Sequence, residues 1–360
     1  MPAVIYLDLK DWIGLTRAGL GRPGIGAYGD LFELLRVKVA KGEVIAPLSS
    51  THYIEMSRIK DPKQRAAVAL TMGALSQYKA LTSRGVILNH QLRQAIAKEF
   101  ELSYSAPNPP PVGHGFAHAF GQPPVVGRLN GPPERVSAFI EDSGKELVEK
   151  LAEWIGFGWT FAPASSGKTK AEWFYEAMDD ATQFWMLRGP DDRELPDILR
   201  TEYNPQASYD VTERIAAREA DLARMLADDS TKHPRLDDII AARAMYWDLG
   251  DEWGPAMIGL GAPLQRLEEI GKEALNRILE DIPIVVVESA IRRGNFRLGR
   301  YQWTTNDIYD LSFVGAAVSC SNVVLVDKHV QTQLTHQAID HRYGVEILRR
   351  PEEAIQSLTS

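Results

Sequence analysis

The sequence predicts an α/β fold in which a helix-covered parallel sheet is interrupted by a mostly helical insertion. Short apolar runs alternate with helical patterns in residues 1–100, and the same alternation returns in residues 301–360. Between them, residues 101–300 begin with a proline- and glycine-rich stretch and continue with helical patterns. We therefore expect one core built from the two ends of the chain, with residues 101–300 as linker and insertion.

The N-terminal part contains three candidate strands separated by helices. The apolar run 4–7 (VIYL) ends at Asp8, as expected of a buried parallel strand, and the run 44–46 is stopped by Pro47. Between these strands, leucines at helical spacing predict a helix that begins near Asp30 and ends at Gly42. Further along, residues 49–51 (SST) offer N-caps for a helix through Glu55 and Met56. Helices are also predicted over 64–83 and 91–100, and a third strand over 86–88.

The middle of the chain has a different composition. Residues 105–135 hold eight prolines and five glycines, which favours irregular backbone and marks a boundary. Residues 134–292 are largely helical in pattern. The segment 281–293 (DIPIVVVESAIRR) is ambiguous, because its β-branched run suits a strand whereas Asp281 and Pro283 suit the start of a helix; we predict a helix.

The C-terminal part returns to strands and helices. A helix is predicted over 307–318 and a buried strand over 322–326, which Asp327 follows. A last strand is predicted over 345–348, and Pro351 opens a final helix.

Composition narrows the class of protein. Hydrophobic residues make up 44% of the chain and charged residues 24%, which is ordinary globular usage. The N-terminus lacks a basic region and a cleavage site, and the uncharged stretch 311–326 is too short to span a membrane. Cys320 is the single cysteine, which excludes an intrachain disulfide and a cysteine-based zinc site. We expect a soluble, cytoplasmic protein.

The charge is unevenly distributed. The net charge is −8 overall, but +6 over residues 1–100, −11 over 101–300 and −3 over 301–360. If the acids proposed below as metal ligands are set aside, the two ends are positive, which suits a phosphate-bearing substrate. Ordinary scatter of surface charge is the alternative explanation. The negative charge of the insertion indicates that it contacts a protein partner rather than nucleic acid.

Five carboxylates are predicted to meet at one edge of the sheet. Asp8 and Asp327 each follow a strand, Glu55 lies on the helix after the second strand, and Asp307 and Asp310 share one face of a helix. Such a cluster repels itself unless cations neutralise it, and Mg²⁺ or Mn²⁺ prefer oxygen ligands of this kind. Each strand-following aspartate could instead only cap a helix, and so could Asp307.

The order of these motifs resembles the PIN-domain nuclease family. The resemblance rests on strand–Asp8, helix–Glu55, Asp310 before the small residues 315–317, and strand–Asp327, together with the tail YGVEILRRPEEAIQSL. It covers about 160 residues at the two ends of the chain, and most PIN domains lack so large an insertion. It implies a Rossmann-like parallel sheet and metal-dependent RNA cleavage. It also implies that Asp8, Glu55, Asp310 and Asp327 form the acidic site, with Asp307 as a fifth acid.

Basic residues near these acids are candidates for holding the substrate. Four arginines lie within nine residues, and two lysines stand beside strand-following aspartates; the set is Arg292, Arg293, Arg297, Arg300, Lys10 and Lys328. Guanidinium groups bind phosphate in a fork geometry, although a solvated face paired with the acidic insertion is an equal alternative. Arg58 lies beside Glu55 and could act in the same way.

The sequence thus predicts a Mg²⁺- or Mn²⁺-dependent endonuclease that acts on RNA first and single-stranded DNA second. The competing hypothesis is a non-catalytic PIN-like module that binds nucleic acid or protein. Aspartate-based phosphatase chemistry is disfavoured, because the spacing of Asp8 and Asp11 does not match the nucleophile pair that it requires.

Overall fold

A computed structural model describes residues 2–122, 179–180, 182–189, 205–228, 234–298 and 301–360. Its centre is a sheet of four parallel strands in the spatial order β2-β1-β5-β6. The strands are β1 (Ala3–Tyr6), β2 (Val44–Ile45), β5 (Val323–Leu325) and β6 (Glu346–Leu348). The predicted α/β class with a parallel sheet built from both ends of the chain is therefore confirmed.

The N-terminal strand lies inside the sheet and joins the two ends of the chain. Ile5 pairs with Val323 and Ala3 pairs with Val44, so that β1 has a neighbour from each end. At the entry to β5, the side-chain oxygen of Asn322 accepts a hydrogen bond from the backbone N–H of Val4 at 2.8 Å. Parallel neighbours need long crossover connections, which usually contain helices, and helices are observed between these strands.

Side chains alternate along the strands, so that one set packs into a core on one face of the sheet and the other set into a core on the opposite face. Val4, Tyr6 and Val324 face one core, whereas Ile5 and Leu325 face the other. Successive side chains of a strand point to opposite faces, so a short apolar run without polar interruptions is what a sheet buried on both sides requires.

Helices cover both faces of this sheet. Those of the N-terminal part are α1 (Leu9–Gly19), α2 (Tyr28–Ala40), α3 (Ser50–Met56), α4 (Pro62–Ser76), α5 (Arg84–Glu99) and α6 (Gly115–Ala119). Trp12, Leu15 and Leu31 are fully buried against one face of the sheet, each contributing about 2–3 kcal/mol of apolar burial. Of the three candidate caps at residues 49–51, Ser49 is the one that caps α3.

The prediction of a third strand at residues 86–88 is wrong. These residues lie in α5, where Ile87, Leu88, Leu92 and Ile96 are buried at helical spacing. Periodicity alone does not separate a short apolar run in a strand from one in a buried helix. The chain forms instead a separate antiparallel pair of β3 (Lys79–Leu81) and β4 (Val112–His114), and the helix predicted over 64–83 ends at Ser76.

The described residues of the middle region are mainly helical. Their helices are α7 (Pro205–Asp228), α8 (Leu236–Arg243), a π-helical turn (Ala244–Asp248), α9 (Trp253–Gly259), α10 (Gln265–Glu268), α11 (Lys272–Glu280) and α12 (Pro283–Arg297). The ambiguous segment 281–293 is helical, with Pro283 in the first turn. Val287 and Ile291 of α12 share a core with β1, so packing in this core continues into the segment assigned to the insertion.

The C-terminal part completes the architecture with α13 (Thr305–Cys320), α14 (Lys328–His336), α15 (Ile339–Tyr343) and α16 (Pro351–Thr359). Helix α13 packs along α12, and Gly315 allows this because a Cβ atom there would lie 3.1 Å from Ile284. In the part of the chain that the structure describes, no helix is both long enough and apolar enough to cross a membrane.

Candidate functional site

Two aspartates stand where the central strands end. Asp8 is the N-cap of α1, two residues after β1, and Asp327 is the N-cap of α14, two residues after β5. The Leu9 N–H donates to Asp8 Oδ1 and the Val330 N–H donates to Asp327 Oδ1, each at 2.7 Å. Each aspartate therefore caps a helix with one oxygen, and its second oxygen accepts no hydrogen bond within the described residues.

Glu55 and Asp310 add two carboxylates that have no capping role. Glu55 lies on the last turn of α3, and Asp310 lies on the second turn of α13. Among the described residues, neither side chain forms a hydrogen bond or an ion pair. Both are nevertheless partly buried. A buried carboxylate without a partner is costly, which indicates that the fold holds these groups for a purpose other than stability.

Asp310 lies within electrostatic range of the other three carboxylates. Burial, followed by the charges of Asp8, Asp327, Glu55 and Asp307, raises the pKa of Asp310 to about 8. Burial and then the charge of Asp8 raise the pKa of Glu55 to about 8, although the nearby Arg58 opposes this. Desolvation also raises the pKa of Asp8, against the effect of Lys10. The sheet thus brings together the four acids that the sequence singled out.

Asp307 is placed differently. It is the third residue of a capping box in which its backbone N–H donates to Thr304 Oγ at 3.4 Å, and its Oδ2 accepts from the Thr304 N–H at 2.6 Å. Tyr301 donates its hydroxyl to the other carboxylate oxygen. Both oxygens are engaged in holding the start of α13, so Asp307 acts on the site through its charge on Asp310.

A buried network of hydrogen bonds and stacked rings lies beside the acids. The Tyr6 hydroxyl lies 2.9 Å from Ser49 Oγ, and the Tyr6 ring stacks on the rings of His52 and Phe313. The Ser49 N–H donates to His52 Nδ1 at 3.0 Å, so the other ring nitrogen carries the proton and donates to Leu7 O at 2.9 Å. Burial lowers the pKa of His52 to about 3. With both nitrogens engaged, His52 is a neutral supporting residue and is not presented as a metal ligand.

The donor chemistry of the acids fits a hard divalent cation. All four groups are carboxylates, which Mg²⁺ and Mn²⁺ prefer as ligands. Burial and then neighbouring negative charge raise the pKa of Glu55 and Asp310, and a cation would offset both effects. Within the described ranges, however, no three Asp, Glu, His or Cys side chains lie close enough to share one ion as they stand. Binding would therefore require side-chain rotation toward the ion.

The predicted substrate-binding arginines do not form one clamp. Arg292 is only 4% exposed and is paired with Glu219 and Glu288, so the expectation that it contacts phosphate at the acidic edge is wrong. Arg293 is engaged with Asp237 and Gln337. Arg297 is exposed at the end of α12, and Arg300 lies outside the described residues. Successive side chains on a helix point in different directions, so arginines that are close in sequence need not lie on one face.

Three other cations lie at the acidic edge. Lys10 is exposed, with its Nζ 3.9 Å from Asp8 Oδ2, and Lys328 is exposed in the first turn of α14. Arg58 is the third of these cations. Its guanidinium group donates to Asn306 Oδ1 at 3.2 Å and lies 5.3 Å from the centre of the Tyr309 ring. Its position three residues after Glu55 was the sequence signal for this contact.

A second charged cluster lies apart from the capping aspartates, buried among the helices of the middle region. Arg292 Nε donates to Glu219 Oε1 at 3.1 Å, Arg84 forms a two-point ion pair with Glu288, and Arg243 pairs with Glu219. Asp248 joins this cluster, where burial opposes ionisation but the charges of the arginines hold its pKa below the ordinary value. These pairs link α5, α7, α8, the π-helical turn and α12.

Comparisons with protein-family models, with curated proteins and with solved structures find no match to this chain.

Proposed function

We propose that the chain is a PIN-like endonuclease that depends on Mg²⁺ or Mn²⁺ and cleaves RNA, with single-stranded DNA as the second substrate. One observation carries the proposal: four carboxylates from both ends of the chain lie at the carboxyl edge of a parallel sheet, where burial and then neighbouring negative charge raise the pKa of Glu55 and Asp310 to about 8. Stability alone does not account for such an arrangement, because these acids destabilise the fold without a cation.

The roles of the residues follow from where they lie. Asp8, Glu55, Asp310 and Asp327 would hold the cations, and Asp307 keeps the first turn of α13 in place. When bound, divalent cations supply positive charge that stabilises a phosphodiester during in-line displacement. The exposed groups of Lys10, Lys328 and Arg58 are available to bind the backbone phosphates on either side of the scissile bond.

A cleavage assay tests the proposal. A mixed pool of labelled RNAs and single-stranded DNAs is incubated with the protein in Mn²⁺ and in EDTA, beside the variants Asp8→Asn and Asp310→Asn. We expect metal-dependent cutting of RNA that falls at least about 100-fold in both variants, because each removes a cation ligand. The matched control is Asp251→Asn, which alters an exposed aspartate in a turn and should cut like the parent.

Two outcomes would contradict the proposal. Cutting that persists in both variants would show that the acidic edge is not the source of activity. Absence of cutting by folded, metal-loaded protein would favour the second hypothesis, a PIN-like module that binds nucleic acid or protein without cleaving it.

A further inference from the structure

An open cavity of about 240 Å³ lies beside the acid-bearing helix, lined by α5, α7, α8, the π-helical turn, α12 and α13. Ile308, Leu311 and Ser312 form its α13 wall. Asp310 lies about 100–160° around the same helix from these three residues, since each residue turns the helix by about 100°. The cavity is therefore a separate site that shares one wall with the acidic edge.

Guanidinium groups dominate the lining of this cavity. Arg84, Arg243 and Arg292 line it and are balanced by the three buried acids of the second charged cluster, Glu219, Asp248 and Glu288. Arg218 also lines the cavity, is exposed, and forms no ion pair with any residue that the structure describes. The cluster with Arg218 included thus carries a surplus positive charge.

The paired arginines also have N–H donors that form no hydrogen bond with the described residues. Arg84 is 28% exposed and engages Glu288 through Nε and Nη2, so that its Nη1 has no partner among the described residues. The Arg243 side chain is only 4% exposed, and its Nε has no hydrogen-bond partner in the part of the chain that the structure describes. A guanidinium group has five N–H donors, and a buried donor left unsatisfied calls for an acceptor that is not part of the chain.

Trp247 supplies an aromatic surface at the same place. It belongs to the π-helical turn Ala244–Asp248, it is 48% exposed, and the Arg243 guanidinium lies 5.3 Å from its ring centre. Single π-helical turns are rare and are frequent at functional sites. An indole half open to solvent beside arginines is suited to stacking on a nucleobase.

We propose that this cavity binds a nucleotide through its phosphate, with Arg218, Arg84 and Arg243 as donors and Trp247 stacking on the base. A structural ion cluster explains the three paired arginines. It leaves unexplained the open volume, the exposed indole, and Arg218, which has no ion pair within the described ranges. The volume is below the ~300 Å³ at which drug-sized pockets begin, so it accommodates the phosphate and ribose while the base lies at the mouth. This inference goes beyond the proposed nuclease and uses none of its cation ligands.

Calorimetric titration of the whole chain in EDTA tests the inference without a contribution from cations at the acidic edge. The probes are nucleoside 5′-monophosphates, inorganic phosphate and a nucleoside without phosphate. We expect the monophosphates to bind more tightly than phosphate, and the nucleoside to show no binding. Arg218→Ala should weaken monophosphate binding about tenfold or more, because it removes a charge-assisted hydrogen bond. Trp247→Ala should weaken it about fivefold or more through lost stacking.

The matched control is Arg224→Ala, which alters an exposed arginine on another face of the same helix, α7, and should leave the affinity unchanged.

Short RNAs with and without a 5′-phosphate distinguish the two sources of the ligand. Competition by the phosphorylated RNA alone identifies a nucleic-acid end, and its failure to compete identifies a free nucleotide. The inference is overturned if no monophosphate binds at about 10 mM, or if Arg218→Ala and Trp247→Ala bind as the parent does. Because the readout is binding in EDTA, either result is independent of whether the chain cleaves RNA.

Discussion

The carboxylate of Asp310 should make the cation-free protein less stable as the pH rises, and Asp310→Asn should remove that effect. The side chain is partly buried near four other acids and forms no hydrogen bond with any residue that the structure describes. Asparagine has nearly the shape of a protonated aspartate but carries no charge at any pH. The variant therefore keeps the packing and loses the repulsion.

The magnitude follows from the difference in proton affinity between the folded and the unfolded chain. The pKa of Asp310 is about 8 in the fold against an ordinary 3.8, so between these values the folded protein binds more protons than the unfolded chain, and stability falls with rising pH. At about 1.4 kcal/mol per pH unit, the whole shift corresponds to at most about 6 kcal/mol. Because neighbouring groups relax, we expect Asp310→Asn to raise the free energy of unfolding by about 2–4 kcal/mol near pH 9, by about half as much near pH 6, and by almost nothing near pH 4.

Urea denaturation in EDTA at several pH values measures this difference, with the midpoint followed by fluorescence and by circular dichroism. Asp251→Asn serves as the control, because it removes an exposed acid that has no ion pair among the described residues. The reasoning is refuted if the gain of Asp310→Asn is the same at acidic and alkaline pH, or if the variant is less stable than the parent near pH 9.

Three further predictions concern cations and arginines. Millimolar Mn²⁺ should raise the melting temperature of the parent by several degrees and leave Asp310→Asn unchanged in differential scanning fluorimetry; equal shifts would place the ion elsewhere. Arg58→Ala should lower the affinity for RNA about tenfold and reduce the salt dependence of binding by about one ion, as measured by fluorescence anisotropy at several salt concentrations; an unchanged salt slope would show that Arg58 touches no phosphate. Arg292→Ala should cost about 3–5 kcal/mol of stability in urea denaturation because it leaves buried acids unpaired, whereas Arg293→Ala, whose ion pair is partly exposed, should cost less than about 1 kcal/mol; equal costs would contradict the burial argument.

The sheet was predictable from the sequence because its strands are short apolar runs that each end in a polar residue. Asp8 and Asp327 mark the ends of β1 and β5, and Pro47 follows β2 closely. The error at residues 86–88 has a local cause. An apolar run of three residues carries no period, and the left-handed backbone of Gln77 and Tyr78, which ends α4, has no strong signature in those residue types.

The acids of the candidate site were predictable for the same reason, since parallel strands bring their carboxyl ends to one edge. Which basic residues face that edge was not predictable. Arg292 and Arg293 are neighbours in sequence, yet one is buried among acids and the other lies near the surface, because the direction of each depends on how α12 is rotated in the core. That rotation is set by contacts with α13, which sequence periodicity does not specify.

The position of β1 between β2 and β5 has a consequence for the order in which a ribosome-bound chain can fold. The first two strands emerge within the first 45 residues, but the partner on the other side of β1 starts at Val323. At ~5–20 residues per second, the apolar edge of β1 would wait roughly 15–60 s for that partner. Until then, the edge of β1 that faces β5 has no strand to pair with. Because Asp310 and Asp327 lie within residues 301–360, a chain that stops short of them holds only two of the four proposed cation ligands, Asp8 and Glu55.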